Sequence, residues 1–270
     1  ILAAAGSYMI ALAIARRRIH LTQLETMAHF DSLTGLPNRA LYMDRLKQAR
    51  KQAERYNRSL GQLYIDVDNF KDINDTLGHH AGDQLLALIA KRIGNTVRQS
   101  DTLARLGGDE FVVLLMVING RASCEAAARK ITGVMQEPFM IQRVSRHITV
   151  SIGITRYPDD GRTPGELLKN SDIAMYKAKE KGKNLFQFYS RTMNDAVLAR
   201  LAMEDSLREA LAIDEFSLHY QPKVDLQSKK ITGAEALIRW YQPDKGWIGP
   251  AEFIPVAEQS KLILTLGEWI

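Results

Sequence analysis

The run Arg105-Leu106-Gly107-Gly108-Asp109-Glu110-Phe111 lies between two apolar segments, residues 102–106 and 111–117. Apolar stretches joined through a glycine pair predict a tight β-hairpin that holds two carboxylates at its tip. Glycine accepts backbone angles that other residues avoid, and its missing side chain lets a ligand approach the main chain. Adjacent acids on a turn fixed by two strands are well placed to hold a hard cation. The plain alternative is an exposed acidic turn.

A second acidic stretch sits upstream. Leu63-Tyr64-Ile65-Asp66-Val67-Asp68 predicts a buried strand that ends in carboxylates and runs into Asn69-Phe70-Lys71-Asp72-Ile73-Asn74-Asp75, then Gly78-His79-His80-Ala81-Gly82-Asp83. Strand interiors seldom accept acids. If this strand neighbours the hairpin, Asp66 and Asp109 face one another, and carboxylates that close repel unless a cation lies between them. Mg²⁺ takes one or two carboxylates and completes its shell with substrate phosphates. The residues alone therefore suggest metal-assisted chemistry on a nucleotide phosphate.

Together with Asp31-Ser32-Leu33-Thr34-Gly35-Leu36-Pro37-Asn38-Arg39, these stretches resemble the GGDEF domain of the diguanylate cyclase family. Gly107-Gly108-Asp109-Glu110-Phe111 reproduces its signature letter for letter. The similarity runs from about residue 31 to 189 and closes on Tyr176-Lys177-Ala178-Lys179-Glu180-Lys181-Gly182-Lys183-Asn184. The resemblance implies an α+β fold, with a central, mainly antiparallel sheet flanked by helices, of the nucleotidyl cyclase or polymerase-palm kind. It implies that two GTP molecules are joined into cyclic di-GMP with release of two pyrophosphates. Mg²⁺ (or Mn²⁺) assists, and two facing copies of a homodimer each hold one GTP.

Residue by residue, the resemblance places the metal on Asp66 and Asp109 with the Val67 carbonyl, and Glu110 adds to that site. Asp109 or Glu110 takes the proton, and the sequence does not separate them. Asn74 and Asp83 match the guanine-reading positions. A carboxylate can accept from the guanine N–H donors, and a carboxamide can both donate and accept. Phe70 and Lys71 match the place where backbone amides and a lysine meet the phosphates, and Lys179 and Lys183 match positions that hold the triphosphate. Four residues apart, these two lysines are predicted to share a helix face. Plainer roles are a strand-end cap for Asp66, a helix or turn cap for Asn74, and favourable charge at a helix C-terminus for the lysines. Arg98-Gln99-Ser100-Asp101 resembles the family's RxxD inhibitory site, where cyclic di-GMP arrests the cyclase; its plain reading is a helix-end arginine and a turn aspartate.

The chain has 270 residues, 46% of them hydrophobic and 25% charged, which suits one to two globular domains. A net charge of +5 is too small to argue for nucleic acid. The single Cys124 excludes a disulfide framework, fits a reducing cytoplasm and is expected to be buried in a helix over 123–135.

Residues 1–15 are almost wholly apolar, and Arg16-Arg17-Arg18 follows. That order predicts the end of a transmembrane helix over 1–18, in the inner membrane, with everything after it in the cytoplasm. A signal peptide carries its charge before the apolar part. Both ends of the chain look cut. A helical linker over 19–30, with Leu21, Leu24 and Ala28 on one face, is expected to pair with a second copy.

Within the GGDEF stretch, 31–190, the pattern predicts a helix over 39–56 capped by Asn38, a strand over 60–67 and a helix over 80–97. The hairpin over 102–117 follows, then the helix over 123–135, strands at 139–144 and 147–155, a helix over 163–180 and a strand at 185–188. His79 and His80 are expected in a loop before the second helix, in structural roles. From 191 to 270 a linker helix leads into segments that resemble the opening of an EAL domain, the cyclic di-GMP phosphodiesterase family. There Glu235 matches a metal ligand. Such TIM-like barrels need about 250 residues, so this stretch is not expected to hydrolyse cyclic di-GMP. In such hybrids the GGDEF half can also serve as a catalytically silent GTP-binding module.

Overall fold

The computed structural model describes residues 28–270. They fall into two units, one running up to Met193 and the other from Asn194 to Ile270. In the first, β1 (Ser59–Val67) is the central strand. Its neighbours are β3 (Glu110–Ile118) and β6 (Val150–Tyr157), with β2 (Thr102–Gly107) and β7 (Phe186–Phe188) outermost, in the order β2-β3-β1-β6-β7. The β2/β3, β3/β1 and β1/β6 pairings are antiparallel, and only β6/β7 is parallel. The sheet is thus mixed but mainly antiparallel, with helices on both faces.

Side chains alternate across a strand, so β1 serves two cores. Leu63, Ile65 and Val67 join the cluster built with α3 (His79–Gly94) and α4 (Arg121–Met135). Leu60 and Tyr64 join the opposite cluster, with α1 (Arg39–Tyr56) and α5 (Pro164–Glu180). Asn38 caps α1, its side-chain oxygen accepting from Leu41 N at 3.1 Å. Thr163 and Glu166 close a capping box at the start of α5. Cys124 is fully buried, and desolvation pushes its thiol up to about 11.

Three expectations are corrected, and one helix is added. Residues 70–77 form a helix, α2 (Phe70–Leu77), entered through Asn69 in the left-handed conformation at φ 58°. His79 and His80 belong to the first turn of α3, which ends at Gly94 rather than at 97. The strand expected over 139–144 is two short ones, β4 (Phe139–Ile141) and β5 (Val144–Arg146), turned on Gln142 and Arg143, both at positive φ. Finally, α5 ends at Glu180, so Lys183 lies beyond the helix in a left-handed turn at φ 62° and shares no face with Lys179.

The second unit takes in most of α6 (Arg191–Ala212). It continues as an antiparallel sheet of β8 (Phe216–Val224), β9 (Ile231–Gln242) and β10 (Gly246–Ile248), followed by α7 (Pro250–Gln259) and α8 (Leu262–Trp269). Its core gathers Leu207, Phe216, Trp240, Phe253 and Leu266. Among the described residues no helix is long and apolar enough to cross a membrane. The expected membrane segment and the linker up to residue 27 lie outside them.

Helix α5 lies against the sheet at Gly153 on β6. A Cβ added there would stand 1.8 Å from the Ser171 carbonyl oxygen and 2.3 Å from Met175 N. Both are helix backbone and cannot rotate away. Gly153→Ala is expected to destabilise the protein by about 2–3 kcal/mol, as overpacking does. Chemical denaturation measures this, and a loss below about 1 kcal/mol would mean that α5 shifts freely.

Candidate active site

The hairpin turn is as tight as the glycines allow. Gly108 sits at φ 50°, and Gly107 pairs directly with Glu110. Arg105, at the end of β2, fastens the turn. Its Nε and Nη2 donate to the Gly108 carbonyl at 3.0 and 2.6 Å, and Nη1 reaches both Asp31 carboxylate oxygens at 3.0 Å. The Thr34 amide and hydroxyl donate to the same Asp31 carboxyl. Burial opposes ionisation of Asp31, but these hydrogen bonds prevail and hold its pKa below the usual value. Arg105 was not among the residues expected to act, because its partner lies 74 positions away in sequence.

The strand pairing brings the acids together. Asp66 is directly opposite Glu110 across β1 and β3, and Val67 N donates to the Asp109 carbonyl at 3.3 Å. Asp66 is 6% exposed. Its Oδ1 is sealed from solvent, and Lys179 Nζ reaches it at 2.7 Å without hydrogen-bond geometry. Burial pushes the Asp66 carboxyl up to about 6; the Asp109 charge adds to this, and Lys179 pulls against it. Tyr64, one step back on the same face of β1, is buried; desolvation and then the facing Glu110 carboxylate raise its phenol above the usual range. Desolvation and the Glu110 charge likewise raise Asp172 on α5.

These residues fit a divalent cation in one respect. A buried carboxylate oxygen without a directed hydrogen bond, beside a second carboxylate, is what such an ion satisfies. Among the described residues no group of three or more His, Cys, Asp or Glu side chains could hold a metal by itself. An ion here would draw the rest of its shell from phosphate and backbone oxygens. The Val67 side chain is turned into the core.

Asp68, two residues on from Asp66, organises the end of β1. It is 4% exposed and accepts from Thr149 Oγ1, Ser151 Oγ and Asn184 N at 2.6, 2.7 and 3.0 Å. The last bond draws the turn after α5 onto the end of β1, and Lys183 Nζ then donates to Asn69 Oδ1 at 2.6 Å. So Lys179 and Lys183 reach the same strand end by different routes. Asp68 appeared in the sequence only as the second acid of the strand; its partners lie more than 80 residues away. Phe70 packs partly on the core from the first turn of α2, and Lys71 beside it is exposed.

At the other end of α2, the Asn74 carboxamide rests against Gly82, next to the exposed Asp83. Arg98 and Asp101 line one cavity of about 490 Å³, walled by Val113, Leu115 and Ile131 with Lys130 at its side. Asp101 Oδ1 also accepts from Met116 N at 2.9 Å, which caps β3 where it outruns β2. In the second unit Glu235 is exposed on β9, 3.7 Å from Lys223 Nζ.

A family profile described as "Diguanylate cyclase, GGDEF domain" matches residues 28–185. The chain belongs to the GGDEF family. A second profile, "EAL domain", matches residues 204–270. MucR of Pseudomonas aeruginosa, named a bifunctional diguanylate cyclase/cyclic di-GMP phosphodiesterase, is 45% identical over 268 residues. That match covers 98% of this chain and 38% of MucR, so the chain spans well under half of its relative's length. The crystallised GGDEF domain of PA1120 (TpbB or YfiN), also from P. aeruginosa, is 41% identical with a TM-score of 0.62, covering 63% of this chain and 99% of that one. The coiled coil and GGDEF domain of DgcB from Caulobacter crescentus, solved with c-di-GMP, is 26% identical with a TM-score of 0.58, covering 66% and 94%.

The raised Asp66 carboxyl has a measurable consequence in the GGDEF domain. A carboxyl whose pKa is higher folded than unfolded supports the fold below the unfolded value of 3.8, and that support is lost as pH rises through about 6. With divalent cations chelated, Asp66→Asn is expected to raise the melting temperature at about pH 7.5, and the gain should vanish near about pH 4. Thermal melts across that range test it; a gain of equal size at both ends would remove electrostatics as the cause.

Proposed function

We propose that the chain is a diguanylate cyclase, acting as a homodimer in which each copy presents one GTP to the other. The observation that carries this is the convergence at one end of β1: Asp66 beside Asp109 and Glu110, with Lys179 and Lys183 arriving from α5 and its following turn. Asn74 and Asp83 take the guanine edge. Lys71, Lys179 and Lys183, with backbone amides at Phe70, neutralise the triphosphate. Asp109 or Glu110 accepts the proton of the ribose 3′-hydroxyl as it attacks the partner's α-phosphate. Mg²⁺ or Mn²⁺ held by Asp66, Asp109, Glu110 and the Val67 carbonyl would supply charge neutralisation and a lowered pKa for the attacking hydroxyl.

Arg98 and Asp101 form a product-binding inhibitory site. Arginine grips phosphate or the guanine O6/N7 edge bidentately, and the adjoining cavity has room for a base. The apolar 1–15 segment followed by three arginines supports a membrane anchor with the domain on the cytoplasmic side.

A second reading has the GGDEF unit bind GTP without turnover and tune an EAL phosphodiesterase. It is favoured by the EAL match and by NbdA of P. aeruginosa, 38% identical over 247 residues and named a cyclic di-GMP phosphodiesterase alone.

Incubating the 270-residue chain in detergent with GTP and Mg²⁺, and resolving the nucleotides by chromatography, separates the two readings. Cyclic di-GMP is expected from the wild type, at least about a hundredfold less from Asp109→Ala, and the rate per subunit should fall on dilution. Bound GTP without product at high protein concentration would instead support the regulatory reading. In the same assay, Arg98→Ala is expected to raise the cyclic di-GMP concentration that halts synthesis by about tenfold. An unchanged inhibition curve would remove Arg98 from product binding.

A further inference from the structure

Gly82 lies in the first turn of α3, buried, with an ordinary helical backbone. Its φ is not in the left-handed range, unlike that of Gly78, four residues before it, at 85°. A glycine in such a place weakens a helix by roughly 0.5–1 kcal/mol relative to alanine and gives no turn in return. Backbone angle therefore does not explain it.

Space does. A Cβ built on Gly82 would stand 2.0 Å from Asn74 Oδ1, 3.1 Å from Asn74 Cγ and 3.1 Å from Phe70 Cζ. The bare Cα is the floor on which the Asn74 carboxamide rests, with the Phe70 ring beside it. The two neighbours are not equally free to move. Phe70 packs against the main core, and the Asn74 backbone is held by its carbonyl, which accepts from Gly78 N at 2.9 Å. Only the partly exposed carboxamide can swing away. A methyl group at 82 would expel the amide, while the half-buried Phe70 ring edge needs to give by only a few tenths of an ångström and the helix stays intact.

We propose that Gly82 is a specificity-positioning residue: its missing side chain seats the Asn74 amide beside Asp83, at the angle needed to read guanine against purines that lack the 2-amino group. This rests on the reading above in which Asn74 and Asp83 take the base. Guanine offers N1–H and a 2-amino group, and hypoxanthine keeps only the first. An amide turned out of its seat loses the distinction while Asp83 still grips N1–H.

The test titrates the full chain with the α,β-methylene analogues of GTP and of inosine triphosphate, which bind without releasing pyrophosphate, and follows heat by calorimetry. Wild type, Gly82→Ala, Asn74→Ala and the double variant are compared, each with a thermal melt. Gly82→Ala and Asn74→Ala are each expected to cut the preference for the guanine analogue about fivefold. The double variant should be no worse than either single one, and Gly82→Ala should melt at or above the wild-type temperature. Retention of the preference by Gly82→Ala while Asn74→Ala loses it would overturn the proposal. So would additive losses in the double variant, or a lowered melting temperature of Gly82→Ala. If Asn74→Ala itself keeps the preference, the base-reading role of Asn74 fails and the inference falls with it, a result told apart by which variant is silent.

Discussion

The pairing of β1 with β3 decides where every acid of the site points. Side chains alternate with a period of two, so a slip of one residue would carry Asp66 and Glu110 from the α1/α5 face to the α3/α4 face and set them among leucines and isoleucines. Apolar residues on both faces resist that slip, and a buried polar chain resists it further. The Tyr42 hydroxyl donates to Gln62 Oε1 at 2.8 Å, and Gln62 Nε2 donates to Ser171 Oγ at 2.6 Å. Moved one place, Gln62 would lose both partners inside the other core, at a cost of a few kcal/mol. The register of the strand that carries Asp66 is thus set by a glutamine four residues upstream of it.

Electrostatic strain in this site is local and directional. Burial raises the pKa of Asp66, and the cation that pulls against this, Lys179, is delivered by α5, whose approach is fixed by the missing side chain at Gly153. The ammonium occupies the neighbourhood that a divalent ion would also seek. Under the proposed function, a metal ion at Asp66 would displace the Lys179 ammonium, which would then be free to meet a phosphate oxygen.

The hairpin, β1 and the capped α1 were legible in the sequence because their signals are short-range: alternating apolar residues, a glycine pair at a turn, and Asn38 before a helical pattern. Other features were not. Helix α2 is eight residues long, largely polar, and begins from an asparagine in a left-handed conformation, so its pattern reads as loop. The β4–β5 hairpin turns on Gln142-Arg143, a pair without the Asn-Gly or Asp-Gly character of such turns. The helical spacing of Lys179 and Lys183 was real in sequence, but the positive-φ residues after Glu180 break the helix between them. Arg105–Asp31 and Asp68–Asn184 join distant parts of the chain, and nothing local announces either. Gly82 was visible as a letter of a motif, but its purpose is seen only when Asn74 is found resting on it.

The Arg105 guanidinium joins two places that perform different duties. On one side is the turn that carries Asp109 and Glu110; on the other is Asp31, where the chain enters the domain. The joint is reinforced by Arg105 N donating to the Pro37 carbonyl, Asn38 N donating to the His29 carbonyl, and a bridge between Phe30 and Pro37. The way into the domain and the acidic turn are thus moored to one side chain, so neither can shift without disturbing the other.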